Sequence, residues 1–200
     1  MDTSFLEQLS QPRPDPGGGA AAAYGGMVAL ALLAKVVQLE AMRPSNQGER
    51  QVWEEKLKEI KQLTADLDRL REEDVKAYAQ MVQVRASGSR GPEWQEAVEY
   101  AMAVPREIMA RAEEGLALVA WAGARCQKHL VSDLQVARQF LGAVLLGAYH
   151  IAWANLPLVA DAARRQELSR KLDQAAQQYQ RVSACIGVYR RLNFTADARR

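Results

Sequence analysis

The chain has 200 residues, of which 48% are hydrophobic and 25% are charged, and its formal net charge is +2. This length suits a single domain spanning residues 1–200 with a substantial core, and so small a net charge argues against nucleic acid as a partner. Alanine contributes 34 residues whereas aromatic residues make up 6%, and because alanine favours helices while strands favour β-branched and aromatic residues, we expect an all-α protein.

The first ten residues contain two acidic residues and no basic one, which is not the pattern of a secretory signal. Cys126 and Cys185 lie far apart without metal-ligand spacing, so we expect free thiols, a cytoplasmic location and no metal site. Residues 17–34 carry no charge and approach the length of a membrane span. Because they are mainly glycine and alanine, we interpret them as a buried central helix and expect no membrane partner.

The predicted elements follow the hydrophobic periodicity and the helix-breaking residues. A short amphipathic helix at residues 3–10 comes first, and five long helices follow. A glycine-rich loop separates the second long helix from the third. A frayed tail closes the chain after Asn193. The five long helices span residues 20–42, 48–85, 93–124, 133–156 and 160–192, and together with the short helix they form the expected compact bundle.

Three glycines, Gly17, Gly18 and Gly19, precede the alanine-rich helix. A glycine loop at a helix N-terminus offers free backbone N–H groups and lets a ligand approach the backbone closely. The run lacks the lysine of a phosphate-binding loop and the preceding strand of a dinucleotide site. On the pattern alone, a plain loop before a helix is the simpler interpretation.

Asp74 interrupts the apolar stripe of the second long helix, where the spacing of Leu63, Leu67 and Leu70 asks for an apolar residue. An aspartate that faces a core must be paired or hydrogen-bonded. Two interpretations stay open, a carboxylate that caps or pairs with a neighbouring helix and a residue of a functional site.

The third long helix contains Pro105, where we expect a kink. Before the next helix, Ser132 and Gln135 have the spacing of a capping box, which makes Asp133 the first helical residue. An acid there is ordinary capping chemistry, but His129 lies close by in sequence, and a carboxylate beside a histidine can also transfer protons.

Several segments together resemble the formiminotetrahydrofolate cyclodeaminase/methenyltetrahydrofolate cyclohydrolase family over about residues 3–190. Taken singly the glycine run is weak, but the ordered set is fairly specific. The segments that carry the resemblance are Pro14-Asp15-Pro16-Gly17-Gly18-Gly19, Glu73-Asp74-Val75-Lys76-Ala77-Tyr78, Val104-Pro105, Ser132-Asp133-Leu134-Gln135-Val136-Ala137, Gly147-Ala148-Tyr149 and Asn155-Leu156.

The resemblance implies an all-helical homodimer or larger homo-oligomer that uses a tetrahydrofolate derivative as substrate and holds no permanently bound cofactor. The expected reaction is closure of 5-formiminotetrahydrofolate to 5,10-methenyltetrahydrofolate with release of ammonia. Some relatives instead interconvert methenyl- and 10-formyltetrahydrofolate, and a folate-binding homologue with weak or no catalysis is a further alternative.

The resemblance also implies roles for individual residues. Asp133 is the expected acid/base residue, Gly17, Gly18 and Gly19 line the folate cleft, and Asp74 faces the same cleft. Tyr78, Lys128, His129 and Asn155 complete the expected substrate-binding set.

Three positions depart from the pattern that the family usually shows. Ala20 replaces a serine, Lys128 lies where a Gly-Asn pair is usual, and Ile151 replaces an asparagine.

Overall fold

Six α-helices make up the fold, and the computed structural model describes the backbone of residues 3–194 and the side chains of residues 4–177 and 179. The described residues contain no strand, so the all-α prediction is confirmed. The predicted frayed tail lies mostly outside the residues whose backbone is described. The Cys185 side chain lies outside the described side chains. The helices are α1 Thr3–Leu9, α2 Gly18–Ala41, α3 Arg50–Ala86, α4 Pro92–Gly123, α5 Val131–Asn155 and α6 Ala162–Phe194.

Helices α2 to α5 form a four-helix arrangement in which each packs on the next and α5 returns to pack on α2, while α6 lies against α5. Short 3₁₀ turns precede α3 and α5 and follow α5, at Pro44–Glu49, Lys128–Leu130 and Leu156–Leu158. Helix α4 continues through the buried Pro105. This layout places the start of α2 beside the end of α5.

The small residues of α2 allow its neighbours to approach closely. A Cβ atom at Gly26 would lie 2.7 Å from Leu67 Cδ1 of α3, and one at Gly25 would lie 3.5 Å from Val144 Cγ2 of α5. Most of the large side chains on this inner side of the helix, including Leu30 and Leu33, are fully buried. The prediction of a central alanine-rich helix is therefore confirmed.

Helices α2 and α5 run antiparallel. Near one end, a Cβ atom at Gly18 would lie 3.1 Å from Ile151 Cδ1, and near the other, Lys35 Nζ lies 2.9 Å from Asp133 Oδ2. At 1.5 Å per residue, Asp133 and Ile151 are about 27 Å apart along α5. This separation decides which predicted site residues can meet within one chain.

The outer side of these two helices forms an exposed apolar surface, which we call the α2/α5 face. Its large exposed side chains are Val28, Leu39, Met42, Val136 and Phe140. By length and composition alone, Gly18–Ala41 and Lys128–Leu158 would both pass as membrane spans. In the fold, however, their inner sides form the middle of the hydrophobic core.

The predicted capping box at Ser132 is wrong. Helix α5 begins at Val131, and no side chain caps its first turn. The preceding 3₁₀ turn already uses the early amide groups, because Leu130 N donates to the Gln127 carbonyl over 3.0 Å and Val131 N donates to the Lys128 carbonyl. Asp133 nevertheless lies in the first helical turn.

Glu40, near the end of α2, is fully buried. Its carboxylate accepts hydrogen bonds from the Gln127 amide at 2.9 Å, Asn46 Nδ2 at 2.8 Å and an Arg43 guanidinium nitrogen at 2.7 Å. Burial acts to raise the pKa of Glu40, but these three donors outweigh it, so the pKa lies below its ordinary value. Glu40 thereby ties the connector before α5 and the turn before α3 to the end of α2.

Candidate functional site

A cleft of about 270 Å³ opens where the start of α2 meets the end of α5 and the second half of α3. Val75, Ala77, Met81, Ala101, Ile151 and Ala154 supply an apolar lining. Pro14 and Asp15 close the side formed by the segment before α2. Six of the predicted site residues line this one cleft, namely Gly17, Gly18, Gly19, Asp74, Tyr78 and Asn155.

Asp74 joins α3 to the first turn of α2. Its Oδ2 accepts a hydrogen bond from the Ala20 amide over 2.9 Å, which satisfies one of the amide groups that a helix start leaves without an intrahelical partner. Burial raises the pKa of Asp74, and the hydrogen bond from Ala20 opposes that rise only in part. The capping interpretation is therefore confirmed, and the same carboxylate also faces the cleft.

The glycine run begins the helix rather than preceding it entirely. Gly18 and Gly19 belong to the first turn of α2, because Ala21 N donates to the Gly17 carbonyl over 3.0 Å. At Gly19 any side chain would collide with the Asp74 carboxylate. Glycine at this position is thus required for the contact between Asp74 and Ala20 to form.

Two further predicted residues occupy the walls. Asn155 Nδ2 donates to the Ala101 carbonyl over 3.0 Å, which fixes its carboxamide between α5 and α4. Tyr78 is 39% exposed and lies one turn beyond Asp74 on α3. Both side chains border the same space as Asp74, so the cleft combines a carboxylate, a carboxamide and a phenol.

The departure at Ile151 lies in the lining of this cleft, and the departure at Ala20 lies beneath it, in the first turn of α2. Ala20 is fully buried and contributes its amide to Asp74. Ile151 packs across Gly18 and lines the cleft with a hydrocarbon side chain. Compared with a chain that carries asparagine at position 151, this one has a more apolar cleft.

Asp133 lies elsewhere. It forms an ion pair with Lys35, about 27 Å along α5 from Ile151, and it does not border the cleft. Lys128 and His129 are exposed at the same distant end, in the turn before α5. Within a single chain the length of α5 therefore separates these three residues from Asp74, and their roles stay predictions.

The sequence reasoning missed Asp15 as a cleft residue. It borders the cleft together with Gly17, and its position two residues before the glycine run was the available signal. Among the described residues, no group of three or more histidine, cysteine, aspartate or glutamate side chains is placed to hold a metal ion. The chemistry that the cleft itself can supply is hydrogen bonding and proton transfer by carboxyl groups next to a helix N-terminus.

Comparison with known proteins agrees with this architecture. Curated protein sequences give no match. The crystal structure of formiminotetrahydrofolate cyclodeaminase from Thermotoga maritima is similar in fold, with a TM-score of 0.84 and 22% identity over 92% of this chain and 94% of that one. The family profile described as formiminotransferase-cyclodeaminase matches residues 2–174. Because the profile matches most of the chain, the chain belongs to the formiminotransferase-cyclodeaminase family.

Proposed function

We propose that the protein is a folate one-carbon enzyme that closes 5-formiminotetrahydrofolate to 5,10-methenyltetrahydrofolate and releases ammonia. The observation that carries this proposal is the Asp74 carboxylate beside the backbone of Gly17 and Gly18, in a cleft of a cyclodeaminase family member. A pterin is flat and carries N–H groups along one edge. Asp74 would accept hydrogen bonds from that edge while the glycines allow the ring to lie against α2.

The reaction requires two proton movements. N10 attacks the carbon of the protonated formimino group (–CH=NH2+) and loses its proton, and the –NH2 group formed in this way gains one proton before it leaves as ammonia. A carboxyl group within hydrogen-bond distance can carry out both transfers in turn. We propose Asp133 for this role, with Asp74 holding the pterin.

Asp133 can reach the cleft only from a second copy of the chain, so the proposal requires a homodimer. The α2/α5 face supports such a dimer. Helix α2 is about 36 Å long and two packed helices are about 20 Å wide, which gives about 700 Å² for each subunit, close to the ~800 Å² of a standard interface. The small side chains of Ala31 and Ala143 are exposed on it and permit close approach.

We propose that the two-fold axis of this dimer lies at right angles to α2 and α5. A rotation about this axis reverses the helix direction, so the end of the face that carries the cleft opposes the end that carries the partner subunit's Asp133. Lys128 and His129 of the partner subunit would arrive with it and meet the anionic part of the ligand. The exposed apolar face and the distance of Asp133 from Asp74 thus have one common explanation.

The test is an assay for methenyltetrahydrofolate by its near-ultraviolet absorbance. Asp74→Asn and Asp133→Asn are each expected to lower the rate by about 100-fold or more. Refolding the two variants together at equal amounts should restore about a quarter of the wild-type activity, because half of the dimers are mixed and one cleft of each mixed dimer is intact. Lack of restoration would refute the shared cleft, and an unchanged rate in Asp133→Asn would refute the role of Asp133.

The cyclohydrolase reaction uses the same cleft and is the nearest alternative. The assay separates it, because the absorbance of added methenyltetrahydrofolate then falls as 10-formyltetrahydrofolate forms. The apolar side chains of Ala20 and Ile151 favour a further candidate, a folate-binding homologue with weak catalysis. That candidate predicts folate binding without conversion in either direction.

We also propose a cytoplasmic location, with which the free thiol of Cys126 agrees.

A further inference from the structure

The cleft is bordered by two acidic residues and by no basic one. Asp15 and Asp74 both border it, and the described residues that line it include no lysine, arginine or histidine. Apolar side chains make up much of the remaining lining. Because a charge in such surroundings is costly unless an opposite charge or hydrogen-bond donors accompany it, this composition favours a ligand that brings a positive charge into the cleft.

The two carboxylates differ in how their charge is compensated. Asp74 accepts a hydrogen bond from the Ala20 amide and lies at the N-terminus of α2, where the helix dipole favours a negative charge. Asp15 lies in the segment before α2. Within the described part of the chain, its side chain forms neither an ion pair at 4 Å or less nor a hydrogen bond. Asp15 therefore supplies the uncompensated negative charge.

Basic side chains on the outer side of this segment do not neutralise Asp15. Arg13, Arg71 and Lys76 border a second hollow, next to α1, which Asp15 also borders. None of them pairs with Asp15, and Arg71 instead lies 2.8 Å from Asp68 Oδ1. Asp15 is half-buried, so solvent and salt screen its charge less than that of a fully exposed acid. A cation in the cleft would therefore meet a carboxylate that has no partner of its own.

We propose that Asp15 determines the specificity for the one-carbon group by binding the protonated formimino group of the substrate. The inference rests on the proposed function, because the pterin held by Asp74 brings N5 and its substituent into the same cleft. A formimino group on N5 is a formamidine, which is protonated at neutral pH and carries N–H donors on its terminal nitrogen. A carboxylate accepts a charge-assisted hydrogen bond from such a donor, and these bonds are stronger than those between neutral groups.

A formyl group on N5 has nearly the same shape but carries no charge. Its oxygen only accepts hydrogen bonds, and a carboxylate oxygen also only accepts them, so Asp15 and the formyl oxygen cannot form a hydrogen bond with each other. Asp15 thus separates two folates that differ by one heavy atom, nitrogen in place of oxygen. A hydrogen bond to a charged group at a half-buried position predicts a preference for the formimino group on the order of tenfold.

The experiment is a calorimetric titration with 5-formimino-10-deazatetrahydrofolate and 5-formyl-10-deazatetrahydrofolate. In both analogues a carbon replaces N10, so neither ring can close during the measurement. The wild type is expected to bind the formimino analogue about tenfold more tightly than the formyl analogue. In Asp15→Asn the two affinities should lie within about threefold of each other, because the formimino analogue loses its ion pair while the carboxamide can donate to the formyl oxygen.

Glu72→Gln is the matched control. It removes the same charge from an exposed residue that lies two positions before Asp74 on α3 and does not border the cleft. Provided that circular dichroism shows each variant to be folded, Glu72→Gln should keep the tenfold preference.

The remaining outcomes overturn the inference in separate ways. Equal affinity of the wild type for the two analogues would refute the role of Asp15 and leave the folate cleft in place. A preference that survives in Asp15→Asn, or that disappears in Glu72→Gln as well, would show that Asp15 is not the determinant. If the wild type binds neither analogue, the proposed function fails, and the role of Asp15 fails with it.

Discussion

The Asp74 carboxylate on α3 accepts a hydrogen bond from the Ala20 amide in the first turn of α2, over 2.9 Å. This contact gives an amide group at the start of the central helix a hydrogen-bond partner, and it fixes the carboxylate at the wall of the cleft. Gly19 makes the contact possible, because any side chain there would occupy the position of the carboxylate. Stability and ligand binding therefore depend on the same few atoms.

The first prediction concerns pH and Asp74. Burial raises its pKa in the folded protein, so ionisation of this group opposes folding above the folded-state pKa, and that opposition is absent below the ordinary aspartate pKa. Asp74→Asn is uncharged at every pH. The free energy of unfolding of the wild type, taken relative to that of Asp74→Asn, should therefore increase as the pH falls from 7 to about 4. Urea denaturation across this range measures it, and a relative stability that stays flat or decreases would contradict the assignment.

The second prediction concerns Gly19. Gly19→Ala forces the Asp74 carboxylate away from Ala20 and should lower the free energy of unfolding by about 1–3 kcal/mol. Gly26→Ala is the matched control, because its Cβ would crowd a methyl group of Leu67, which is in the core and not at the cleft. Urea denaturation should show a loss in both variants. Asp74→Ala should then lower the free energy of unfolding less when it is added to Gly19→Ala than when it is made in the wild type. Added to Gly26→Ala, it should lower the free energy of unfolding as much as in the wild type. An equal loss in all three proteins would contradict the role of Gly19.

The third prediction concerns the buried carboxylate of Glu40. Its folded-state pKa lies below the ordinary value, although burial alone would raise it. Its contribution to stability is therefore present above the ordinary glutamate pKa and is lost as the pH falls through the folded-state pKa. Glu40→Gln leaves the Arg43 charge without its partner and should lower the free energy of unfolding at pH 7 by about 3 kcal/mol. The difference from the wild type should narrow in acid, and a difference that widens there would refute this account.

The fourth prediction concerns the α2/α5 face. Phe140 on α5 and Val52 on α3 are each 45% exposed, but only Phe140 belongs to the face. Light scattering should find the wild type and Val52→Glu as dimers and Phe140→Glu as a monomer, because a charge in the centre of an apolar interface opposes association. A monomeric wild type, or a dimer that persists in Phe140→Glu, would show that another surface is used.

Much of the fold follows from the sequence. The alanine-rich helix, the amphipathic stripes and the break at Asp74 are local patterns that depend on helix periodicity, and the structure keeps each of them. The start of α5 was harder to predict, because the turn at Lys128–Leu130 supplies the hydrogen bonds that the side chain of Ser132 would otherwise provide. Such competition between backbone and side-chain partners depends on the path of the connector, which no short pattern encodes.

The site could be predicted in part. Gly19, Asp74 and Asn155 were correctly grouped through the resemblance, although they lie on three different helices. Asp133 was grouped with them because the resemblance implies it as the acid/base residue, but within one chain the length of α5 separates it from the cleft. The antiparallel order of α2 and α5 is a tertiary property, and it decides which ends meet.

The most direct test of the central claim, that a tetrahydrofolate derivative binds against Gly19 and Asp74, is a calorimetric titration of 5-formyltetrahydrofolate into the wild type, Gly19→Ala and Gly26→Ala under conditions where all three are folded. We expect saturable binding at one site per chain in the wild type, an unchanged affinity in Gly26→Ala and an affinity at least about tenfold weaker in Gly19→Ala, equivalent to about 1.4 kcal/mol. Absence of binding to the wild type, or equal affinity in all three proteins, would contradict the claim.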